Sequence, residues 1–184
     1  LVAYAAAATV IGLWAGPYFA DVHGLNANQR GLALAAMGIA MPIGLLLVGP
    51  LERRFFPRSA MISAGAALSA AMLVILAVWP TPPLPMALGL LVGLVLFSSY
   101  PVLRVTEARM LFPDHLVGRG ASTVNMAQVL GSSLLPLLVG LVIGFFPMAE
   151  AVRPEAAYRA GFAVLAGSLL LGLAGWLLLP RAKA

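Results

Sequence analysis

An all-α membrane protein, a six-transmembrane-helix bundle built as a 3+3 inverted repeat, is the fold that this sequence predicts. Three observations carry that expectation. Of 184 residues, 62% are hydrophobic and 9% charged, with a mean hydropathy of +1.01, against roughly 45–50% and 25% in soluble domains. Six apolar runs, each near the ~20 residues that cross ~30 Å of hydrocarbon, are separated by short polar or proline-rich gaps. The basic residues gather in alternate gaps. A water-soluble globule and a disordered chain are thereby excluded. Barrel strands would be shorter and alternating, and lipid admits only structures that bond their own backbone.

Span 1 runs from Leu1 to Ala20 without a charge. The chain opens inside this apolar run, with no initiator Met and none of the marks of a signal peptide, so it reads as a fragment of a longer protein. Span 2 covers about Gly31 to Pro50, preceded by Asn26 and Gln29 at the spacing of a capping box. Span 3 covers about Ser59 to Trp79. Pro80, Pro82, Pro83 and Pro85 then break the chain before span 4, about Met86 to Leu103. Span 5 runs from about Gly120 to Phe145. Span 6 runs from about Ala156 to Leu179, with Pro154 and Glu155 suited to its first turn.

Orientation follows from lysine and arginine. Arg53, Arg54, Arg58, Arg104, Arg109, Arg119, Arg181 and Lys183 fall on one side, eight in all, against three (Arg30, Arg153, Arg159) on the other. The excess places both termini and the loops at about 51–58 and 104–119 in the cytoplasm. Aromatic residues cluster at the expected interfaces: Trp14, Tyr18, Phe19, Trp79, Phe145, Phe146 and Tyr158 outside, Phe55, Phe56, Phe112 and Trp176 inside. The net charge of +5 therefore reads as membrane topology and not as a nucleic-acid surface. Ten Arg against one Lys, with abundant Ala, Gly and Leu, point to a GC-rich bacterial genome and an inner-membrane location. There is no Cys, and the two histidines, His23 and His115, lie far apart in gaps. No metal site and no cofactor is expected.

Helices in lipid associate through small residues that permit close approach. Ala36, Ala40 and Gly44 supply them in span 2, Gly89 and Gly93 in span 4, Gly140 and Gly144 in span 5, Ser168 and Gly172 in span 6. Cut as 3+3, spans 1 and 4 each carry a proline near the C-terminal end (Pro17, Pro101), and spans 2 and 5 one within the helix (Pro42, Pro136). Corresponding helix breakers in two triplets are the mark of an inverted repeat.

Span 5 is the richest in candidate function. At helical spacing Ser122, Asn125, Gln128, Val129, Ser132, Ser133 and Pro136 share an arc of about 140°. Amides several residues deep are costly without a partner, so Asn125 and Gln128 face protein or a wet pathway. They read either as interhelical glue or as the wall of a substrate path. On one face of span 1, Tyr4, Trp14 and Tyr18 are either a cavity wall or interfacial anchors. In span 4, Ser98, Ser99 and Tyr100 precede Pro101, and Tyr100 is its best cavity candidate. All six acids (Asp21, Glu52, Glu107, Asp114, Glu150, Glu155) lie in loops or at helix ends. No span holds the intramembrane carboxylate that usually carries a proton or cation.

Two stretches resemble the major facilitator superfamily. Gly49-Pro50-Leu51-Glu52-Arg53-Arg54-Phe55-Phe56-Pro57-Arg58 is similar to its cytoplasmic loop motif, with the glycine one position closer to the acid and Phe55 where a second glycine is usual. Leu111-Phe112-Pro113-Asp114-His115-Leu116-Val117-Gly118-Arg119-Gly120, continuing through Asn125, Gly131 and Pro136, resembles the loop and helix joining its tenth and eleventh helices. Trp14-Ala15-Gly16-Pro17-Tyr18 is similar to the outer end of span 1 in some bacterial members. The resemblance covers the whole chain as the C-terminal six-helix half, helices seven to twelve. It implies secondary transport of a small solute by rocking of two six-helix bundles. The first helix of each triplet would line the cavity, the second meet the other half, and the third face lipid. The expected substrate path is then Tyr4, Trp14, Tyr18, Tyr100, Asn125, Gln128 and Ser132, and the gating loop Gly49, Glu52, Arg53, Arg54 and Arg58. The expected partners are the lipid bilayer, a small-molecule substrate, and an N-terminal six-helix half or a second copy. A homodimeric half-transporter and a non-transporting assembly subunit stay open as alternatives. An intramembrane protease is disfavoured, because Gly131-Ser132-Ser133 lacks a nucleophile motif and His-Glu-x-x-His is absent.

Overall fold

A computed structural model describes residues 2–100, 116–148 and 152–178, with side chains at all of these but 2, 3 and 124. Every span in that range is helical. α1 (Val2–Thr9), a π-helical segment (Val10–Trp14) and α2 (Ala15–Asp21) follow one another without a break. Pro17 accounts for the π segment. It has no N–H, and its ring would strike the carbonyl of Leu13 four residues back. Widening the preceding turn relieves the clash, and the Ala15 N–H accordingly bonds five residues back to the Val10 carbonyl.

Gly24 turns the chain at φ +65°, a left-handed conformation open to glycine at little cost. The capping box then forms as its spacing predicts: the Asn26 side chain accepts from the Gln29 N–H at 3.0 Å and the Gln29 side chain accepts from the Asn26 N–H at 3.1 Å. It starts α3 (Ala27–Arg54), which passes through Pro42 and Pro50 without stopping. Both ends outrun the expected Gly31–Pro50. A helix does not end where its apolar run ends, and arginines in the last turn suit the negative end of the dipole. The connection expected over 51–58 therefore shrinks to residues 55–57, and α4 (Arg58–Val78) begins at once.

α5 (Leu84–Phe97) corrects span 4. Fourteen residues rise about 21 Å, short of the hydrocarbon thickness, and Ser98, Ser99 and Tyr100 form a turn where helix was expected. The following residue is Pro101, which disfavours helical geometry in the residue before it. α6 (Val117–Gly144) and α7 (Glu155–Leu178) start slightly before their expected positions, with Pro154 just outside the helix, its carbonyl accepting the Ala157 N–H at 3.0 Å. α3, α4, α6 and α7 are long and apolar enough to cross a membrane. Pro101, the span 4 residues up to Leu103, Arg104, Glu107, Arg109, Phe112, Asp114, His115, Glu150, Arg181 and Lys183 lie outside the described residues.

The principal packing pairs are α1 with α6, α3 with α5, α4 with α7, α4 with α5, and α6 with α7. Only some of the expected small residues make these contacts. Gly44 of α3 meets the turn after α5, and a Cβ there would lie 2.5 Å from the Leu96 carbonyl. Gly65 of α4 receives the Tyr100 ring, and Gly161 of α7 receives Val139 and Ile143 of α6. Gly93 takes the end of Met72, whereas Gly89 and Gly144 face open space and Ala36 and Gly172 are exposed.

Candidate functional site

Two ends and one helix face hold the polar chemistry. At the end opposite the arginine-rich turn, the Asp21 carboxylate closes α2. It accepts the Tyr158 hydroxyl at 2.5 Å and the Arg153 backbone N–H at 3.2 Å. The Arg153 guanidinium donates in turn to the Ile143 carbonyl in the last turn of α6. Arg159 does the same for α4, donating to the carbonyls of Ala77 at 2.7 Å and Val78 at 3.0 Å, with Glu155 3.5 Å away. Two of the three arginines on the sparsely charged side thus cap helix C-termini, where orphan carbonyls and the dipole favour a cation.

Tyr18 and Tyr158 depart from their expected places. Both were expected at the interface, Tyr18 also as a cavity wall, yet they are 2% and 1% exposed. Tyr18 packs edge-on against Tyr158 and Phe162 and lies 3.3 Å from His23 Nε2. Burial lowers the His23 pKa below its usual 6.5. Two hydroxyls on neighbouring helices can sit inside because Asp21 and His23, at the end of α2 and in the turn after it, supply partners, which offsets their desolvation. Asp21, Arg153 and Tyr158 are the polar centre that pattern reading passes over. The one local signal for it is an unpaired acid at a span end.

The remaining path candidates divide. Trp14, at the end of the π segment, fits tightly among Val139, Ile143, Tyr158 and Gly161, and its indole N–H is buried without a partner. Tyr100 is 8% exposed and packs against Gly65. Tyr4 is 38% exposed. Asn125 is exposed, Gln128 and Ser132 half-buried. Ser132 satisfies itself on the Gln128 carbonyl at 3.0 Å and Ser133 on that of Val129. Trp14 lies beside Val139 and Gly140, and parallel helices rise alike at ~1.5 Å per residue. Tyr4, ten positions earlier, therefore stands at the depth of about residues 129–130. That register sets Tyr4 within about two residues of the depth of Gln128 and Ser132, with Asn125 a turn below. The structure sets Tyr18 and Tyr100 apart inside the bundle.

At the arginine-rich end, Glu52 in the last turn of α3 pairs with Arg58 at the start of α4, 2.6 Å apart. The pair is a brace across the three-residue turn. Arg53 and Arg54 stay exposed, the Arg54 guanidinium 5.6 Å from the Phe55 ring centre. Nothing packs where a Cβ on Gly49 would stand.

The arrangement is an apolar helical bundle with hydrogen-bonding groups along one helix face and braced charges at both ends; no metal-binding cluster of His, Cys, Asp or Glu forms among the described residues. No curated protein and no solved structure matches the chain. The sequence model of the Major Facilitator Superfamily matches residues 1–184, its full length. The chain belongs to the major facilitator superfamily, whose members are membrane transporters.

Proposed function

We propose that this chain is the C-terminal six-helix half of a secondary transporter, moving a small solute by alternating access against an N-terminal half. The arginine-rich turn and both termini would then be cytoplasmic in a bacterial inner membrane. The helix pairing supports a 3+3 repeat. Taking α1 with α2 as the first span, three of the five principal pairings join span 1 to 5, 2 to 4, and 3 to 6. Advancing every span by three positions maps these three onto themselves, as an inverted repeat requires, whereas the pairings of span 3 with 4 and span 5 with 6 have no equally close counterparts.

The uncovered polar arc of α6 carries the functional reading. Asn125 and Ser122 are exposed on the side of the helix that farther along buries Leu135, Val139 and Ile143. The opposite side, with Met126, Leu130, Leu134 and Leu141, suits lipid. An amide facing hydrocarbon without a partner would cost several kcal/mol, roughly 2–7, so the arc faces the other half across a wet path. A solute hydroxyl or amide fits its donors and acceptors. With no carboxylate inside a span of this half, a coupling proton would be carried by the other half.

Single cysteines at Asn125, Gln128 and Ser132, in a full-length protein with any other cysteine replaced by serine, test this. A membrane-impermeant thiol reagent should modify them, and should spare cysteines at Met126 and Leu130. Protection of all five would mean that the arc is glue between helices. Cysteines at Ser59 and Thr81 should react from opposite faces, the first from the cytoplasm.

A further inference from the structure

α3 and α4 are joined by three residues, yet they barely touch; each packs on α5. Consecutive helices that diverge from a tight turn leave a wedge between them, and here α5 floors it without filling it. The wedge is a groove of about 410 Å³, within the ~300–1,000 Å³ of small-molecule sites. Leu47 and Leu51 form one wall, Ala64 and Leu68 the other, and Leu96 and Phe97 the floor. Leu47, Leu68 and Phe97 are also exposed, so the groove opens sideways from the bundle. Water gains nothing from such walls. A hydrocarbon chain does, because it fills the void with close contacts that lipid outside cannot match in shape.

Beyond one end of the groove α3 turns cationic. Leu47, Leu51 and Arg54 recur at i, i+4 and i+7, so the wall stripe of α3 ends in an arginine. Glu52 is committed to Arg58, and Arg53 and Arg54 are exposed, with no carboxylate paired to either among the described residues, at the level where α3 leaves the membrane. Guanidinium over an apolar slot matches one ligand chemistry, a phosphate joined to an acyl chain.

We propose that the α3–α4–α5 groove is a binding site for an anionic phospholipid, one acyl chain lying between Leu47 and Ala64 and the headgroup phosphate on Arg54. The site rests on the membrane-spanning reading of α3 and α4, but not on which face is cytoplasmic. In vesicles with phosphatidylglycerol in both leaflets it is filled in either orientation. The cysteine labelling at Ser59 and Thr81 can therefore fail without touching it.

The test reconstitutes the full-length transporter in vesicles of phosphatidylglycerol and phosphatidylcholine at one to three, with a photoactivatable acyl chain on either lipid. Crosslinks from labelled phosphatidylglycerol should concentrate on peptides containing Leu47–Leu51 and Ala64–Leu68, above those on the lipid-facing stripe of α6. Ala64→Phe fills the slot from an exposed position and should abolish the excess. Arg54→Gln should lower phosphatidylglycerol labelling about fivefold, the factor equivalent to the ~1 kcal/mol of one juxtamembrane arginine, and leave phosphatidylcholine labelling unchanged. Inorganic phosphate should not compete, because the acyl chain supplies most of the contact. Labelling equal to that of α6, indifference to Ala64→Phe (as when another part of the chain fills the groove), or an equal loss for both lipids would each overturn the proposal. Wild-type-like melting of Arg54→Gln separates a lost headgroup contact from a lost fold.

Discussion

Replacing Gly44 with alanine adds one methyl group where α3 meets the end of α5. That Cβ would stand 2.3 Å from Ser99 Oγ, 2.5 Å from the Leu96 carbonyl oxygen and 3.0 Å from Ser99 Cβ. The hydroxyl can rotate away. The carbonyl cannot, because the Ser99 N–H bonds to it at 3.4 Å in the turn that ends α5. Ordinary contact begins near 3.4 Å, so α3 and α5 must separate by roughly 1 Å along their shared edge. Overpacking of this kind costs ~1–3 kcal/mol; the backbone obstacle puts Gly44→Ala at about 2, some thirtyfold in the unfolding equilibrium. Reversible unfolding in mixed micelles, followed by tryptophan fluorescence, measures it. Gly89→Ala is the control. Its Cβ meets nothing within 4 Å, and helix propensity makes it neutral or stabilising by up to ~1 kcal/mol. Adding Ser99→Ala to Gly44→Ala removes the hydroxyl clash alone and should recover less than half of the loss. A Gly44→Ala protein within about 0.5 kcal/mol of its parent, or full rescue by Ser99→Ala, would refute the carbonyl argument.

Tyr158→Phe should destabilise by ~1.5–3 kcal/mol, since it strips a charged acceptor of its buried partner; Asp21→Asn keeps an acceptor and should cost less in the same assay. Arg159→Gln should remove ~1 kcal/mol from the cap of α4, read as faster amide exchange confined to the turn after Val78, with Arg159→Lys intermediate. His23 makes stability pH-dependent in a stated direction. Its folded pKa is lowered by burial, so above about pH 6.5 it is neutral in both states and costs nothing. Below that the unfolded chain takes the proton first, and the melting temperature should fall between pH 6.5 and 5. His23→Gln should flatten that limb, and an unchanged slope would remove His23 from the account.

Much of the fold was legible because it is local. The Asn26–Gln29 box and the prolines after Trp79 are each decided within a few residues; Pro17, read as a helix breaker, instead widens one turn while the helix runs on. The end of α5 was misread: Pro101 disfavours helix at Tyr100, but a hydropathy count runs through it to Leu103. The candidate site was legible only as a face. Spacing places Asn125, Gln128 and Ser132 on one arc; it does not say that Tyr4 stands at their depth. Tyr18 and Tyr158 show the limit most plainly. Aromatics near span ends read as interfacial anchors, and the partner that draws Tyr158 inward, Asp21, lies 137 positions away.

By itself the sequence determined that the chain is a helical membrane protein, to within a few residues where its helices begin, and which end is arginine-rich. In hydrocarbon each backbone group must be bonded within its own segment, so these outcomes need no knowledge of neighbours. Only the tertiary structure decided which helices pair, which glycines are contact points, that Arg153 and Arg159 cap other helices, and that α3 and α4 part to leave a groove. The reason is that lipid is as apolar as the interior of the bundle. Apolarity marks a span without marking its inner face, and that face is set by shape and by the few polar groups that find each other.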